Sequence, residues 1–456
     1  MATGITGLER TAWMSGSSGK HLRVLLSILT VLSLLSPVCR GEETGAVVLS
    51  SSSLDLEVLL QEALQRNPEL IAAKAGWEAF QKEILASWAL PDPIGGYDIM
   101  GSMTETRVGP QKNRFMVAQD IPFPLKLWEQ RNEAKAEARA AWARYQAFER
   151  DITAKLSKLY YELYFIDASL DTLAEIKELL KKFEAAAQAR YSSREGSQRD
   201  VAKAQTEFSM SLEKLYRLEQ ERESVTAQIN ALLDRDPMQP FGKATLPPKP
   251  VLGNSLVELV NLAVLHRPAI QEAEAMVSKA HYSKRLAQLA YVPDVNVGFE
   301  YVRVGAGTTM EPSDMDGRDS WMFPLKVNLP IWQNRIIPEI QKAAKLEEAE
   351  RAKLLAVKNQ AFFEVKDSYS RFQSASKIAD LYDVAIVPQA QLALSADQAG
   401  YESGKTDFLD LLDSERIYLN AKLSQIRFYT TALQAYTDLA WAAGLDLKNA
   451  EKEKLP

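Results

Sequence analysis

Two prolines that each return after the same interval constrain this chain more than any single motif. Laying Leu64–Pro93 over Val264–Asp294 puts Pro68 on Pro268 and Pro93 on Pro293, both 200 positions apart, with helical text between them. Further on, a 208-residue offset sets Phe115 on Phe323, Val117 on Leu325 and Ile121 on Leu329. An offset of 210 then sets Tyr191 on Tyr401 and Asp200 on Asp410. The chain therefore reads as a tandem duplication, residues 55–236 and 255–445, joined by a proline-rich linker at 237–254. The tetrapeptide FPLK at 123–126 and 323–326 is not part of this register, because Phe323 falls on Phe115.

Each repeat is mostly helix. No proline occurs from Leu125 to Asp236, and Ala, Glu, Lys, Arg, Gln and Leu dominate, so long helices are expected over 56–90, 126–190 and 199–234. The middle one would be about 97 Å long at 1.5 Å per residue. The second repeat matches it from Glu339 to Leu445, broken at YESGKTD, with a kink expected at Pro388. Ser255 and Glu258 form a capping-box signal at the start of the second repeat.

Two stretches per repeat change to period two. In Val295–Val304, Val295, Val297, Phe299 and Tyr301 share one face, while Asn296, Gly298 and Glu300 share the other. Trp321, Phe323, Leu325, Val327 and Leu329 alternate in the same way, and Pro324 interrupts that strand's ladder. The first repeat carries a fainter hairpin at about 97–121, the second a clearer one at about 295–329. One apolar and one mostly polar face over 9 to 10 residues is the membrane β-strand pattern. Four strands cannot close a barrel alone, since open edges in lipid leave backbone groups unpaired, so several chains must share one.

Composition narrows the chemistry. A net charge of −6 argues against a nucleic-acid partner. Three histidines (His21, His266, His281) and one cysteine (Cys39) give no metal cage, no cofactor site and no triad, so catalysis is not expected. His266 and His281 read as surface or packing residues. At the N-terminus, basic residues precede Val24–Leu35, which is too short to span a bilayer, and residues 1–41 read as a signal peptide. Cys39 follows Ser36, Pro37 and Val38, a poor acylation context, so cleavage near Gly41 is favoured over lipidation. Residues 42–54 form an N-terminal extension and 446–456 a tail.

With the helix opening on NPEL, the hairpin, QDIPFP, the long helix, YSSREGSQRDVAKAQ, and then the second copy with VNLPIW and YESGKTDFLDLLD, the sequence resembles the outer-membrane efflux proteins of the TolC type. The resemblance covers about 55–445. It implies a mainly α protein with a small β part. Long helical hairpins form a periplasmic α-barrel, and four strands per chain join a 12-stranded barrel in a homotrimer. It further implies contact with outer-membrane lipid, a periplasmic adaptor and an inner-membrane pump, in a Gram-negative envelope. Aspartates after the second helix turn line the family's periplasmic aperture, and that pattern falls on Asp410 and Asp413; Asp407, one step earlier in the same period of three, is counted as an aperture residue with them, so that threefold symmetry would make a ring of up to nine carboxylates. Their alternative role is that of solvent-facing helix-start acids. The family's basic latch residue falls on Thr406, with Lys405 beside it. Tyr191, Gly196, Ser197, Tyr401 and Gly404 sit at the two turns that resemble adaptor-contacting tips. An exported coiled-coil scaffold is the alternative function, and the alternating segments count against it. The substrate, whether metal ion, drug or polypeptide, stays open.

Overall fold

The structure, a computed structural model, describes residues 55–445 except 102–104, 247, 308–313 and 315. The expected signal segment with Cys39, the 42–54 extension and the 446–456 tail lie outside the described residues. The first repeat runs α1 (Leu56–Arg66), α2 (Pro68–Ala86), β1 (Ile94–Ile99), β2 (Glu105–Thr106), β3 (Gly109–Ile121), α3 (Pro124–Ser192) and α4 (Gln198–Leu232). The second runs α5 (Leu256–His266), α6 (Pro268–Gln288), β4 (Val295–Val304), β5 (Ser320–Met322), β6 (Leu325–Val327), α7 (Gln333–Leu381), α8 (Val387–Glu402) and α9 (Phe408–Ala443). The Ser255–Glu258 capping box forms at the start of α5.

The helix expected over 56–90 is divided in two. Pro68 lacks an N–H and drives the preceding Asn67 out of helical geometry, to ψ 120°. The Asn67 side chain then accepts from Leu70 N at 3.1 Å and donates to the Leu232 carbonyl at 3.0 Å. One residue thereby caps α2 and ties the break to the end of α4. The second repeat has the same joint: Arg267 precedes Pro268 with ψ 120°, and the end of α9 presses on it. A Cβ on Gly444 would lie 2.8 Å from Arg267 N, so this position admits only glycine. At Pro388 the expected kink takes the form of one π turn, Tyr382–Ile386, with the Val387 N–H donating to the Tyr382 carbonyl.

The helix α3 has 69 residues, about 100 Å at the α-helical rise, and two clusters along it hold the other helices. Ile152, Leu156, Tyr160, Leu163 and Ile166 pack with Leu59, Leu60 and Ala63 of α1 and with Ile229 near the end of α4. Farther along, Leu173, Ile176, Leu180 and Phe183 pack with Leu394 of α8 and with Phe408, Leu411, Leu412 and Leu419 of α9. Each such buried side chain contributes about 2 kcal/mol. The linker is strapped to the first cluster: Phe241 is buried in it, and Thr245 N donates to the Tyr160 hydroxyl at 3.0 Å.

The sheet is ordered β1-β3-β4-β5, with β6 continuing the β5 side along β4 and β2 a short pair on β3. The interruption between β5 and β6 falls at Phe323–Pro324. The Pro324 carbonyl still accepts from Gly298 N at 2.9 Å, and the proline ring occupies the space a Cβ on residue 298 would need. Pairing also corrects the 208-residue register. Tyr97 faces Phe115 and Val297 faces Leu325, so outgoing positions 200 apart meet return positions 210 apart. A shift of two leaves every side chain on the same face, which is why the alternation was readable despite it.

Tyr97, Phe115, Tyr301 and Trp321 form one aromatic row across all four strands on the side of the connecting loops. Below it the same face carries Val117, Phe299, Phe323, Leu325 and Val327, all exposed. The opposite face holds Arg114 and Glu300, 4.0 Å apart, and Asn296 donating to Asp120 at 2.7 Å. At the strand-to-helix junctions Trp88, Trp128, Tyr291 and Trp332 are exposed in turn. Apolar strands bracketed by two aromatic belts match a lipid-facing barrel wall. Among the described residues no helix is long and apolar enough to cross a membrane.

Candidate functional site: the two helix turns

The turn from α3 to α4 and the turn from α8 to α9 are built alike, 210 residues apart. In the first, Arg194 N donates to Tyr191 O, and both Glu195 N and Gly196 N to Arg190 O. In the second, Gly404 N donates to Tyr401 O, and both Lys405 N and Thr406 N to Gly400 O. The left-handed residue is Arg194 (φ 66°) in one and Gly404 (φ 73°) in the other. Ser197 then caps α4 in a capping box with Asp200, and Asp407 caps α9 by accepting from Phe408 N at 2.7 Å.

The two tips differ where it matters for charge. Asp407, Asp410 and Asp413 are all exposed, three residues apart in the first turns of α9. Asp407 is engaged as the cap. Asp413 lies 3.8 Å from Arg416, with its side chain 76% exposed, a pair that solvent largely screens. Asp410 meets no cation among the described residues. The arrangement can present negative charge to a passing cation. Lys405 is exposed, and Thr406 is half-buried with its Oγ1 where a Cβ on Gly400 would be, 2.0 Å away. Gly196 is tight for another reason: a Cβ there would lie 3.0 Å from the Arg190 Cβ.

Tyr191 is exposed, whereas Tyr401 is buried against Phe408 with ring centroids 5.3 Å apart. Burial pushes the Tyr401 phenol above its ordinary pKa, so it stays neutral at physiological pH. A residue that the sequence reading passed over joins the two tips. Arg190, at the end of α3, donates to the Tyr401 carbonyl at 2.9 Å and lies over the Tyr401 ring at 4.9 Å. The available signal was an asymmetry: in the 210 register Arg190 stands over Gly400.

Arg190→Ala removes this bridge while leaving both helix caps. Amide exchange in residues 399–406 is expected to rise about tenfold, corresponding to about 1.4 kcal/mol, with Arg190→Lys in between because a lysine keeps the charge and loses the planar fork. Unchanged exchange in Arg190→Ala would remove the bridge from the account.

The profile of the outer membrane efflux protein family matches residues 59–234 and 259–445. The chain belongs to that family. The cobalt-zinc-cadmium resistance protein CzcC of Cupriavidus metallidurans is 21% identical over 437 residues, covering 91% of this chain and 98% of that protein. The pyoverdine export outer membrane protein OpmQ of Pseudomonas putida is 27% identical over 185 residues, 39% of this chain and 37% of that one. The open state of the Neisseria gonorrhoeae MtrE outer membrane channel superposes with a TM-score of 0.71 at 20% identity, over 86% of this chain and 89% of that one. The efflux protein is thus an outer-membrane channel with a helical periplasmic extension, and the scaffold alternative falls away. Its family is one of transport channels.

Proposed function

We propose that three copies of this efflux protein close into one 12-stranded barrel continued by a helical conduit. An inner-membrane pump would energise export through it, joined by an adaptor at the helix turns. The sheet carries this reading. Its order leaves β1 unpaired on one edge and β5 with β6 unpaired on the other, so each copy has two complementary open edges and an apolar outer face. Open edges in lipid are untenable, and head-to-tail pairing satisfies both at once. In this arrangement Asp410 and Asp413 become rings at the periplasmic end, with Asp407 as the helix cap beside them, and the tips bearing Tyr191, Gly196, Ser197, Tyr401 and Gly404 meet the adaptor. Such rings favour cations. Together with the near full-length likeness to a cobalt-zinc-cadmium resistance protein, this makes divalent metal cations the substrate class proposed here.

Light scattering of the detergent-purified protein, with the detergent contribution subtracted, tests the assembly. A protein mass of three chains is expected; a mass of one or two would refute the 12-stranded barrel of three copies.

A further inference from the structure

About one and a half helical turns beyond Asp410 on α9, the apolar stripe of Phe408, Leu411, Leu412 and Leu419 is interrupted by a carboxyl group. Glu415 is 1% exposed, and its Oε1 has no hydrogen-bond partner among the described residues. It lines a cavity of about 190 Å³ together with Glu207, Ser211 and Lys214 of α4 and Arg416 of α9. Glu207 is itself buried and is taken by the Arg416 guanidinium.

We propose that this cavity is a proton-binding site, with Glu415 as the acceptor, and that its occupancy sets how tightly α4 packs against α9 just above the aperture. The inference rests on the aperture reading only for where its effect would be felt.

The groups that face Glu415 give the sign. From α4 come Glu207, which disfavours a second negative charge, and Lys214, which favours it; on α9 Arg416 favours it, but is committed to Glu207. Leu180 of α3 contributes only an apolar wall. On the α8 side Asp397 is occupied by the Ser414 hydroxyl, and Asp413 points away, 76% exposed. Desolvation dominates, followed by Glu207, and together they push Glu415 up from 4.5 to about 7. An opened interface, in which Glu415 meets water, would return it toward 4.5. The closed packing is therefore fully favoured at acid pH and loses its advantage as pH rises from about 4.5 to about 7, by up to about 300-fold for a shift of that size.

Two readouts on the intact purified protein test this without passing current through a pore, so a failure of the channel reading would not masquerade as a failure here. Infrared titration should show a protonated-carboxyl band in the wild type that disappears between about pH 6 and 8 and is missing from Glu415→Gln. Amide exchange in residues 204–211 and 411–419, corrected for its intrinsic pH dependence, should rise up to about 100-fold from pH 5 to pH 8 in the wild type and stay flat in Glu415→Gln. Glu207→Gln, which removes the facing charge and frees Arg416, should move the band's midpoint to lower pH. No band titrating in that range, or a pH dependence of exchange that survives in Glu415→Gln, would overturn the proposal.

Discussion

Arginine in place of Phe299 is expected to abolish accumulation of the assembled protein in the outer membrane, while lysine in place of Met116 leaves it near wild-type level. Both residues lie mid-strand, on opposite faces of the sheet. Phe299 is exposed on the apolar face, its ring 5.2 Å from that of Phe323. Met116 pairs with Glu300 on the other face. A charge at mid-depth on the lipid side costs about 2–4 kcal/mol in each chain. Three copies multiply this to about 6–12 kcal/mol, comparable with the whole stability of a domain. On the inner face a lysine reaches water and an existing carboxylate. Quantitative blotting of outer-membrane fractions reads the outcome. Equal loss in both variants would mean that the two faces are not lipid and lumen.

The second large effect concerns the aspartates. In the assembled channel, Asp410→Ala with Asp413→Ala is expected to reduce the preference for cations over anions by roughly tenfold or more at low ionic strength. A carboxylate about 6 Å from a cation contributes about 0.7 kcal/mol even in water, so a ring of three contributes about 2 kcal/mol. The difference should fade toward 1 M salt, where the screening length shrinks to about 3 Å from about 30 Å at 0.01 M. Singly, Asp410→Ala should act more strongly than Asp413→Ala, because Arg416 lies 3.8 Å from Asp413. Asp407→Ala should instead loosen the start of α9, by about 1 kcal/mol, through the lost cap. Reversal potentials across a salt gradient read the first two, and amide exchange at the start of α9 reads the third. Selectivity that is unchanged in the double variant would return Asp410 and Asp413 to the role of solvent-facing helix acids.

Much of this architecture could be read from the sequence because it is written twice. Pro68 and Pro268, and the glycine-bearing turns after Tyr191 and Tyr401, each mark a backbone constraint that survives divergence of the side chains around it. The alternating strands were legible for the same reason: the lipid face must be apolar at every second position, whatever the pairing register. What escaped was decided by neighbours distant in sequence. The offset of 210 in the return strands depends on pairing across the hairpin and differs by two from the one that similar residues suggested. Arg190 resembles any other helix-end arginine until the second repeat folds against it. Glu415 did carry a signal, because it occupies a core position in the stripe Phe408, Leu411, Leu412 and Leu419, yet it was one carboxylate among 60 acidic residues in the chain.

Single-channel recording tests the central claim most directly. Protein purified from outer membranes, shown to be helical and to have the mass of three chains, would be added to a planar bilayer between salt solutions of unequal concentration. The account predicts discrete, small conductance steps with a reversal potential on the cation-selective side. A silent bilayer from protein that passes both controls would contradict it.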